Sequence, residues 1–314
     1  MAGVMRIRGI YRATSHLPVW EVIQQAGIWE KMGIELVDFQ FVDSSAVAER
    51  LLLSGEIDFI SGNHISPYTQ FYKGQPIRHL TSPGNSVHDV CVTRERIGSL
   101  SDLRGVRVGD TAQISADGGY AHNRGNHILY LMREGVQPSD VTWVELADKN
   151  GEEFARNQLA AMKDGRIDAT FVTGSAADYE AAGFHLSTPA RLPMINGPTI
   201  TCSSETLRRR PGLAEKLVEA QVLGIHYAHA HEAETNRILA DLSGRQGWAR
   251  PVTAERITRM PRKPYPEMEA VANAYELACL QHPETRSVSP LALWDMHYLR
   301  ELDDTGYIDR LYAA

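Results

Sequence analysis

The feature that most constrains this fold is a sequence unit that occurs twice. Residues 51–63 read LLLSGEIDFISGN and residues 159–175 read LAAMKDGRIDATFVTGS. Each pattern predicts a helix, a Gly-x-Ile-Asp turn, an apolar strand and a small polar tip. Helix–turn–strand units also recur by chance in α/β proteins, but a helix ending at glycine and then a strand precede both copies, at 27–39 and 131–146. Two similar lobes are therefore predicted.

The first 61 residues alternate between strand and helix patterns. Such alternation predicts an α/β fold with a mostly parallel sheet. The predicted elements are a strand at Arg6–Tyr11, a helix at Leu17–Met32 ended by Gly33, a strand at Ile34–Val42, a helix at Ser45–Ser54 and a strand at Asp58–Ser61.

Two further strand patterns bracket the second copy of the unit, at 87–93 and 196–203. A helical pattern follows from Ser204 and extends over most of the remaining chain. We therefore predict lobe one at 1–88 with 200–314, lobe two at 89–199, and a ligand cleft between them.

Composition and charge exclude several classes of protein. The 314 residues carry 32 basic and 39 acidic side chains, a net charge of -7, which argues against a general nucleic-acid binder. Arg6 and Arg8 interrupt the apolar start, and nothing approaches the roughly 20 apolar residues of a spanning helix. The expected location is cytoplasmic, or periplasmic if a leader has been removed.

Three segments resemble the type 2 periplasmic-binding-protein superfamily: LSDLRGVRVGDT at 100–111, the Gly-x-Ile-Asp-Phe turn at 55–59, and SSETLRRRPGLAEKLVEA at 203–220. The chain is similar to the nitrate/sulfonate/taurine-type solute-binding proteins and to the thiamine-pyrimidine synthase-like group. The resemblance implies a two-lobed Venus-flytrap fold with two chain crossovers and a small-molecule ligand.

Residues 82–109 are similar to the matching stretch of 4,5-dihydroxyphthalate decarboxylases, in which a histidine, here His88, precedes the crossing strand. The arginine-rich run of those enzymes is replaced by Asn85, Ser86 and Val87, which argues against a phthalate substrate. The related aromatic sulfinate desulfinases use a cysteine after the first strand, where this chain has Ser15.

The candidate site residues follow the predicted strands, because ligands of α/β sheets bind at the carboxyl ends of strands. After the first strand, Arg12 is suited to pair with an acid group, and Thr14 and Ser15 offer hydroxyls. Ser15 also fits a helix-capping role. Asn63 and His64 follow the strand predicted at Asp58–Ser61. The His64 imidazole either transfers a proton or only selects the ligand.

In the second lobe, two more groups of polar residues follow predicted strands. Thr111, Gln113 and Ser115 are predicted to form an anion cradle, and Thr173 and Ser175 to line the ligand site. His226, His229 and His231 lack the spacing of a metal motif, so no metal site is predicted.

Two functions fit these residues. The first is a cofactor-independent lyase, a decarboxylase of a small organic acid, with Arg12 and the cradle as anchors and His64 or His88 as catalytic proton donor. The alternative is the substrate-binding protein of an ABC-type importer for a sulfonate, carboxylate or pyrimidine-like solute, with an ABC permease as partner. Both leave homo-oligomerisation open, and we favour the lyase on the missing export signal.

Overall fold

The computed structural model describes residues 3–112, 122–147, 151–248 and 250–313. Its strands, numbered in chain order, are β1 (Met5–Tyr11), β2 (Ile34–Phe41), β3 (Phe59–Ser61), β4 (Ile77–His79), β5 (Gly84–Val87), β6 (Asp89–Thr93), β7 (Arg107–Asp110), β8 (Thr142–Glu145), β9 (Ala169–Thr173), β10 (His185–Ser187), β11 (Leu192–Asn196) and β12 (Ile200–Ser203).

The helices are numbered in the same way. They are α1 (Leu17–Gln25), α2 (Ile28–Lys31), α3 (Ser45–Ser54), α4 (Ser66–Tyr72), α5 (His122–Arg133), α6 (Gly151–Lys163), α7 (Ala177–Ala181), α8 (Ser204–Arg209), α9 (Leu213–Ala230), α10 (Glu232–Gln246), α11 (Glu255–Thr258), α12 (Met268–Gln281), α13 (His297–Asp304) and α14 (Tyr307–Leu311).

The chain divides into two compact units. Unit 1 comprises Met1–Asn85 and Ile195–Ala314, and unit 2 is the continuous segment Ser86–Met194. The segments that join the units contain β5 and β11, which pair in a two-stranded sheet. The chain therefore leaves unit 1 once and returns to it once.

Unit 1 is built on a five-stranded sheet in the order β2-β1-β3-β12-β4. Strand β1 runs parallel to β2 and β3, whereas β12 is antiparallel to β3 and β4. Helices α1 and α9 pack together through the core cluster that contains Val19 and Ile23. A Cβ on Gly224 of α9 would lie 2.5 Å from Ile23, so this close helix contact requires glycine.

Unit 2 is built on a second five-stranded sheet in the order β10-β6-β9-β7-β8. Strand β7 is parallel to β8 and β9, and β6 is antiparallel to β9 and β10. Read from its other edge, this order matches that of unit 1 strand for strand, with β7 in the place of β1 and β6 in the place of β12. The two units therefore share one sheet topology.

The repeated Gly-x-Ile-Asp turn has the same structure in both units. Gly55 and Gly165 both end a helix in the left-handed region, at φ 77° and 70°, where a side chain is strained. The Asp58 carboxylate accepts from the backbone N–H of Arg8 at 2.8 Å, and that of Asp168 accepts from Arg107 at 3.4 Å. The predicted helix–turn–strand unit is confirmed in both copies.

Two predicted elements are each divided in the structure. The helix predicted over Leu17–Met32 is α1 and α2, separated at Gly27, which adopts a left-handed φ of 67°. The strand predicted over 87–93 is interrupted at His88, between β5 and β6. At Gly27 the apolar pattern continues across the break, and such a pattern alone does not reveal it.

Candidate functional site

The carboxyl edge of the unit 1 sheet gathers three chain segments. Strands β1 and β3 end side by side, and the backbone N–H of Arg12 donates to the Ser61 carbonyl at 3.0 Å. Beyond β3, the N–H of Gly62 donates to the carbonyl of Thr199, just before β12, at 2.7 Å. The predicted polar segments that follow β1 and β3 are thus brought together, and the segment before β12 lies beside them.

Two buried histidines lie at this edge. His16 Nδ1 lies 3.0 Å from the Ser61 carbonyl oxygen, and His64 Nε2 lies 2.9 Å from that of Gly197. A carbonyl only accepts, so each of these ring nitrogens carries a hydrogen and donates it. The two rings meet edge to face at 5.8 Å between centroids. His16 was not among the predicted site residues, because its contact with Ser61 joins residues that are 45 positions apart in the chain.

The backbone between β3 and α4 turns through two left-handed residues, Gly62 at φ 106° and Asn63 at φ 68°. A Cβ on Gly62 would lie 2.5 Å from the His16 ring, so glycine is required for the ring to approach. Asn63 is the only described non-glycine residue with a positive φ, and its side chain donates to Glu49 at 2.9 Å. Asn63 thus fixes the turn that presents His64.

Glu49 holds this turn in place through hydrogen bonds. Its carboxylate, only 3% exposed, accepts from Asn63, from the Ser66 hydroxyl and from Gln70 Nε2 at 2.8 Å. Burial raises the pKa of Glu49, and the hydrogen bonds from Ser66, Asn63 and Gln70 and the charge of Arg12 oppose that rise. The cluster positions the turn through satisfied hydrogen bonds.

Arg12 is committed to protein groups at this edge. Its guanidinium donates to the Val42 carbonyl and, at 2.9 Å, to the Ser45 hydroxyl, which joins β1 to the start of α3. Thr14 and Ser15 are exposed in the 3-10 turn beside it. Thr14 and Ser15 are therefore open to solvent, whereas the Arg12 guanidinium is held by protein groups.

The matching edge of unit 2 holds a buried Asp–His–Asp cluster. Asp110 ends β7, Asp89 begins β6 beside the end of β9, and His127 reaches both from α5. His127 Nδ1 lies 2.6 Å from Asp110 Oδ2, and Nε2 lies 3.6 Å from Asp89 Oδ2. Thr173, at the end of β9, donates its hydroxyl to Asp89 at 2.6 Å.

The charges of this cluster are set by burial and by its close partners. Burial lowers the pKa of His127, but the charge of Asp110, the hydrogen bond that His127 donates to it and the nearby charge of Asp89 outweigh burial and raise that pKa to about 9. For Asp89, burial raises the pKa, and the close positive charge of His127 and the hydrogen bond from Thr173 bring it below the ordinary value. His127 is thus a buried cation at neutral pH, stacked on Phe171 with the ring centroids 4.6 Å apart.

His127, Asp89 and Asp110 were not among the predicted site residues. A signal for His127 was present in the sequence, because His127 lies one helical turn before the apolar Leu131 and therefore on the same helix face. In the structure Leu131 is fully buried. Asp89 lies within the strand predicted over 87–93 and Asp110 at the end of a strand pattern, but nothing local indicates that one imidazole joins them. That contact depends on the packing of α5.

The other predicted residues of unit 2 are placed as follows. Thr111 is buried, and its backbone N–H donates to Asp110 Oδ1 at 2.7 Å, so an acidic group lies within the predicted anion cradle. Gln113 and Ser115 lie outside the described residues. Ser175 is exposed, and its hydroxyl accepts from Ala177 N at 3.4 Å near the start of α7.

The two histidines predicted as proton donors belong to different units, His64 to unit 1 and His88 to unit 2. His88 is exposed, so it is not the interior histidine that a crossing strand would bury. His226 and His229 pack against the Tyr312 ring, and the described parts of the chain contain no group of three His, Cys, Asp or Glu suited to a metal ion. All three cysteines are buried free thiols whose pKa values are raised by burial.

Residues 14–235 match the family model described as NMT1/THI5 like. This chain belongs to the NMT1/THI5-like family. The match begins at Thr14, just after β1, and extends beyond β12 to the start of α10. No curated protein matches the sequence.

Solved structures show the fold of this NMT1/THI5-like protein. The periplasmic sulfonate-binding protein SsuA from Methylobacillus flagellatus KT is 14% identical, with a TM-score of 0.67, 97% of this chain covered and 96% of that one. SsuA from Escherichia coli is 16% identical, with a TM-score of 0.60 and coverages of 90% and 88%. The desulfurization enzyme DSZB is 15% identical, with a TM-score of 0.57 and coverages of 96% and 99%.

These similarities confirm the resemblance to the type 2 periplasmic-binding-protein superfamily, and the α/β fold with two chain crossovers is that of the superfamily. At such low identity they establish the fold and not the ligand. Among the described residues, no helix is both long and apolar enough to cross a membrane.

Proposed function

We propose that this NMT1/THI5-like protein is a solute-binding protein that delivers a small organic acid to an ABC-type permease. The similar SsuA proteins are periplasmic sulfonate-binding proteins by name, which favours a sulfonate or related acid and a periplasmic location. This is the alternative of the two functions set out from the sequence. It replaces the lyase as the main hypothesis.

The observation that carries the proposal is the state of the two histidines on which the lyase depends. Decarboxylation requires a group that delivers a proton to carbon. The Nε2 hydrogen of His64 is donated to the Gly197 carbonyl, and His88 is exposed between two strands. A binding protein needs only hydrogen-bond donors and acceptors in fixed positions, and this arrangement suits that role.

In the proposal, the ligand-binding groups of unit 1 are the exposed hydroxyls of Thr14 and Ser15, with Asn63 and His64 as the rigid wall beside them. Arg12 stabilises a negative charge at this edge through its own positive charge, and also holds the neighbouring loop. In unit 2, Thr111, Thr173 and Ser175 stand at the corresponding strand ends, where the Asp–His–Asp cluster favours polar or hydrogen-donating groups of the ligand over a second acid group.

The experiment is isothermal titration calorimetry with alkanesulfonates, taurine, benzoate and an aminopyrimidine, followed by mass spectrometry of each mixture after several hours. We expect micromolar binding of one class, about 8 kcal/mol, with the ligand recovered intact. A panel member that is bound and consumed would contradict the proposal and restore the lyase.

Variants of the unit 1 edge sharpen the test. Replacement of Thr14 by Val together with Ser15 by Ala removes two hydroxyls and should weaken binding by about 1–3 kcal/mol. Thr305→Val, at an exposed helix end of the same unit, is the matched control and should leave affinity unchanged. Equal affinities for all three proteins would remove Thr14 and Ser15 from the site.

A further inference from the structure

A cavity lies at the opposite end of the unit 1 sheet, where β1 begins. It has a volume of about 440 Å³ and is lined by Arg6, Arg8, Arg209 and Arg210 among others. Arg8 precedes Arg12 by four residues, about 13 Å along an extended strand. The cavity is therefore separate from the strand-end residues proposed to bind the solute.

The cavity carries more positive charge than its own acidic groups neutralise. Besides the four arginines, its ionisable lining residues are Glu56 and Asp58, which leaves an excess of two positive charges. This excess is local, because the whole chain has a net charge of -7. A concave surface of one charge sign concentrates small ions of the opposite sign.

Two of the four guanidinium groups are already committed. Arg210 pairs with Asp58 and also donates to the Arg6 carbonyl. Arg6 pairs with Glu35, with Nε 3.1 Å from Oε2. Within the described residues, the side chains of Arg8 and Arg209 have no hydrogen-bond or ion-pair partner. The excess charge of the cavity thus resides on these two residues.

An unpartnered buried hydroxyl lies in the same wall. Thr206 is only 4% exposed and lines the cavity, and its Oγ1 has no hydrogen-bond partner in the described structure. A buried hydroxyl without a partner is energetically unfavourable, so its presence beside two unpaired guanidinium groups indicates a missing acceptor.

We infer that this cavity binds a tetrahedral oxyanion, a phosphate or sulfate group that is either free or carried by a small molecule, with Arg8 and Arg209 as its main ligands and Thr206 as an additional donor. The planar fork of a guanidinium matches two oxygens of such a group. A tetrahedral group presents enough oxygens for two arginines and a hydroxyl to bind at once, whereas a carboxylate presents only two. The inference does not depend on the proposed solute-binding function.

The test is calorimetric titration of the whole protein at low ionic strength with inorganic phosphate, sulfate, glycerol phosphate and acetate. We expect saturable binding of phosphate and sulfate, and at least tenfold weaker binding of acetate. Glycerol phosphate binding tighter than inorganic phosphate would identify an organic phosphate as the ligand, and the reverse order would identify the free ion; either order supports the inference.

Three single variants locate the site. Arg8→Gln and Arg209→Gln should each weaken phosphate binding at least fivefold, and Thr206→Val about threefold. Arg208→Gln is the matched control, because Arg208 is exposed on the same helix and does not line the cavity. Equal weakening by the Arg208 and Arg209 variants, or the absence of saturable binding to the wild type, would overturn the inference.

Thermal denaturation of each variant checks the fold, and we expect these exposed arginine variants to melt within about 2 °C of the wild type because surface substitutions change stability little. Because phosphate is the probe, the result does not require the organic solute. Failure here would leave the proposed solute-binding function intact, and failure to find a solute would leave this site intact.

Discussion

The unfolding free energy of unit 2 should fall at alkaline pH in the wild type, and it should fall much less when His127 is replaced by Gln. His127 is 3% exposed, and its pKa is raised from 6.5 to about 9 by its two aspartates. A shift of that size corresponds to about 3 kcal/mol of stabilisation, since one pKa unit is about 1.4 kcal/mol. Glutamine retains a hydrogen-bonding amide but carries no charge.

The sign follows from the raised pKa. The unfolded chain loses the His127 proton near pH 6.5, whereas the folded protein keeps it until about pH 9. The stabilisation is therefore complete below pH 6.5 and is lost as the pH rises through 9. The difference in unfolding free energy between wild type and variant should be largest, about 3–5 kcal/mol, near pH 6.5. It should approach zero near pH 10.5.

The assay is urea denaturation followed by circular dichroism at pH 6.5, 8, 9.5 and 10.5, with hydrogen exchange of β6 and β7 to assign the change to unit 2. His88→Gln is the matched control, because His88 is an exposed histidine of the same unit, and its variant should stay within about 0.5 kcal/mol of the wild type at every pH. A constant difference between wild type and His127→Gln from pH 6.5 to 10.5 would refute the reasoning.

Two further predictions concern unit 1. Gly62→Ala forces a Cβ to within 2.5 Å of the His16 ring at a φ of 106°. It should destabilise the protein by about 2 kcal/mol or more in thermal denaturation and weaken solute binding in calorimetry. Full affinity would show that the turn tolerates a side chain. Trp20→Phe removes the indole N–H that donates to the buried Ser61 hydroxyl at 2.7 Å and should cost about 1–3 kcal/mol in urea denaturation, whereas unchanged stability would mean that Ser61 finds another partner.

The parts of the fold that the sequence predicts are those fixed by neighbouring residues. The Gly-x-Ile-Asp turn is one, because its left-handed glycine ends the preceding helix and the next backbone N–H donates back to that helix, to Leu51 in one copy and to Ala161 in the other. The helix Ser45–Ser54 is another, since Ser44 caps it by accepting from Val47 N at 3.2 Å. Such features need no information from the rest of the chain.

The candidate site was less accessible from sequence because its contacts join distant residues. Arg12 was interpreted as a ligand for an acid group, but its partners Val42 and Ser45 lie at least 30 residues away. His64 bonds to the carbonyl of Gly197, 133 residues along the chain. A polar residue after a strand is recognisable, whereas the partner that occupies its side chain is set by tertiary packing.

The discontinuous course of unit 1 imposes an order on its assembly during synthesis. Strand β12 lies between β3 and β4 in the sheet, yet it ends at Ser203, after the whole of unit 2 has been made. Until then, the backbone groups that β3 shares with β12 have no partner within the sheet, whereas unit 2 contains all five strands of its own main sheet in one continuous stretch. A nascent chain can therefore complete its middle before its beginning, and the edge with His64 is the last of the two strand-end regions to form.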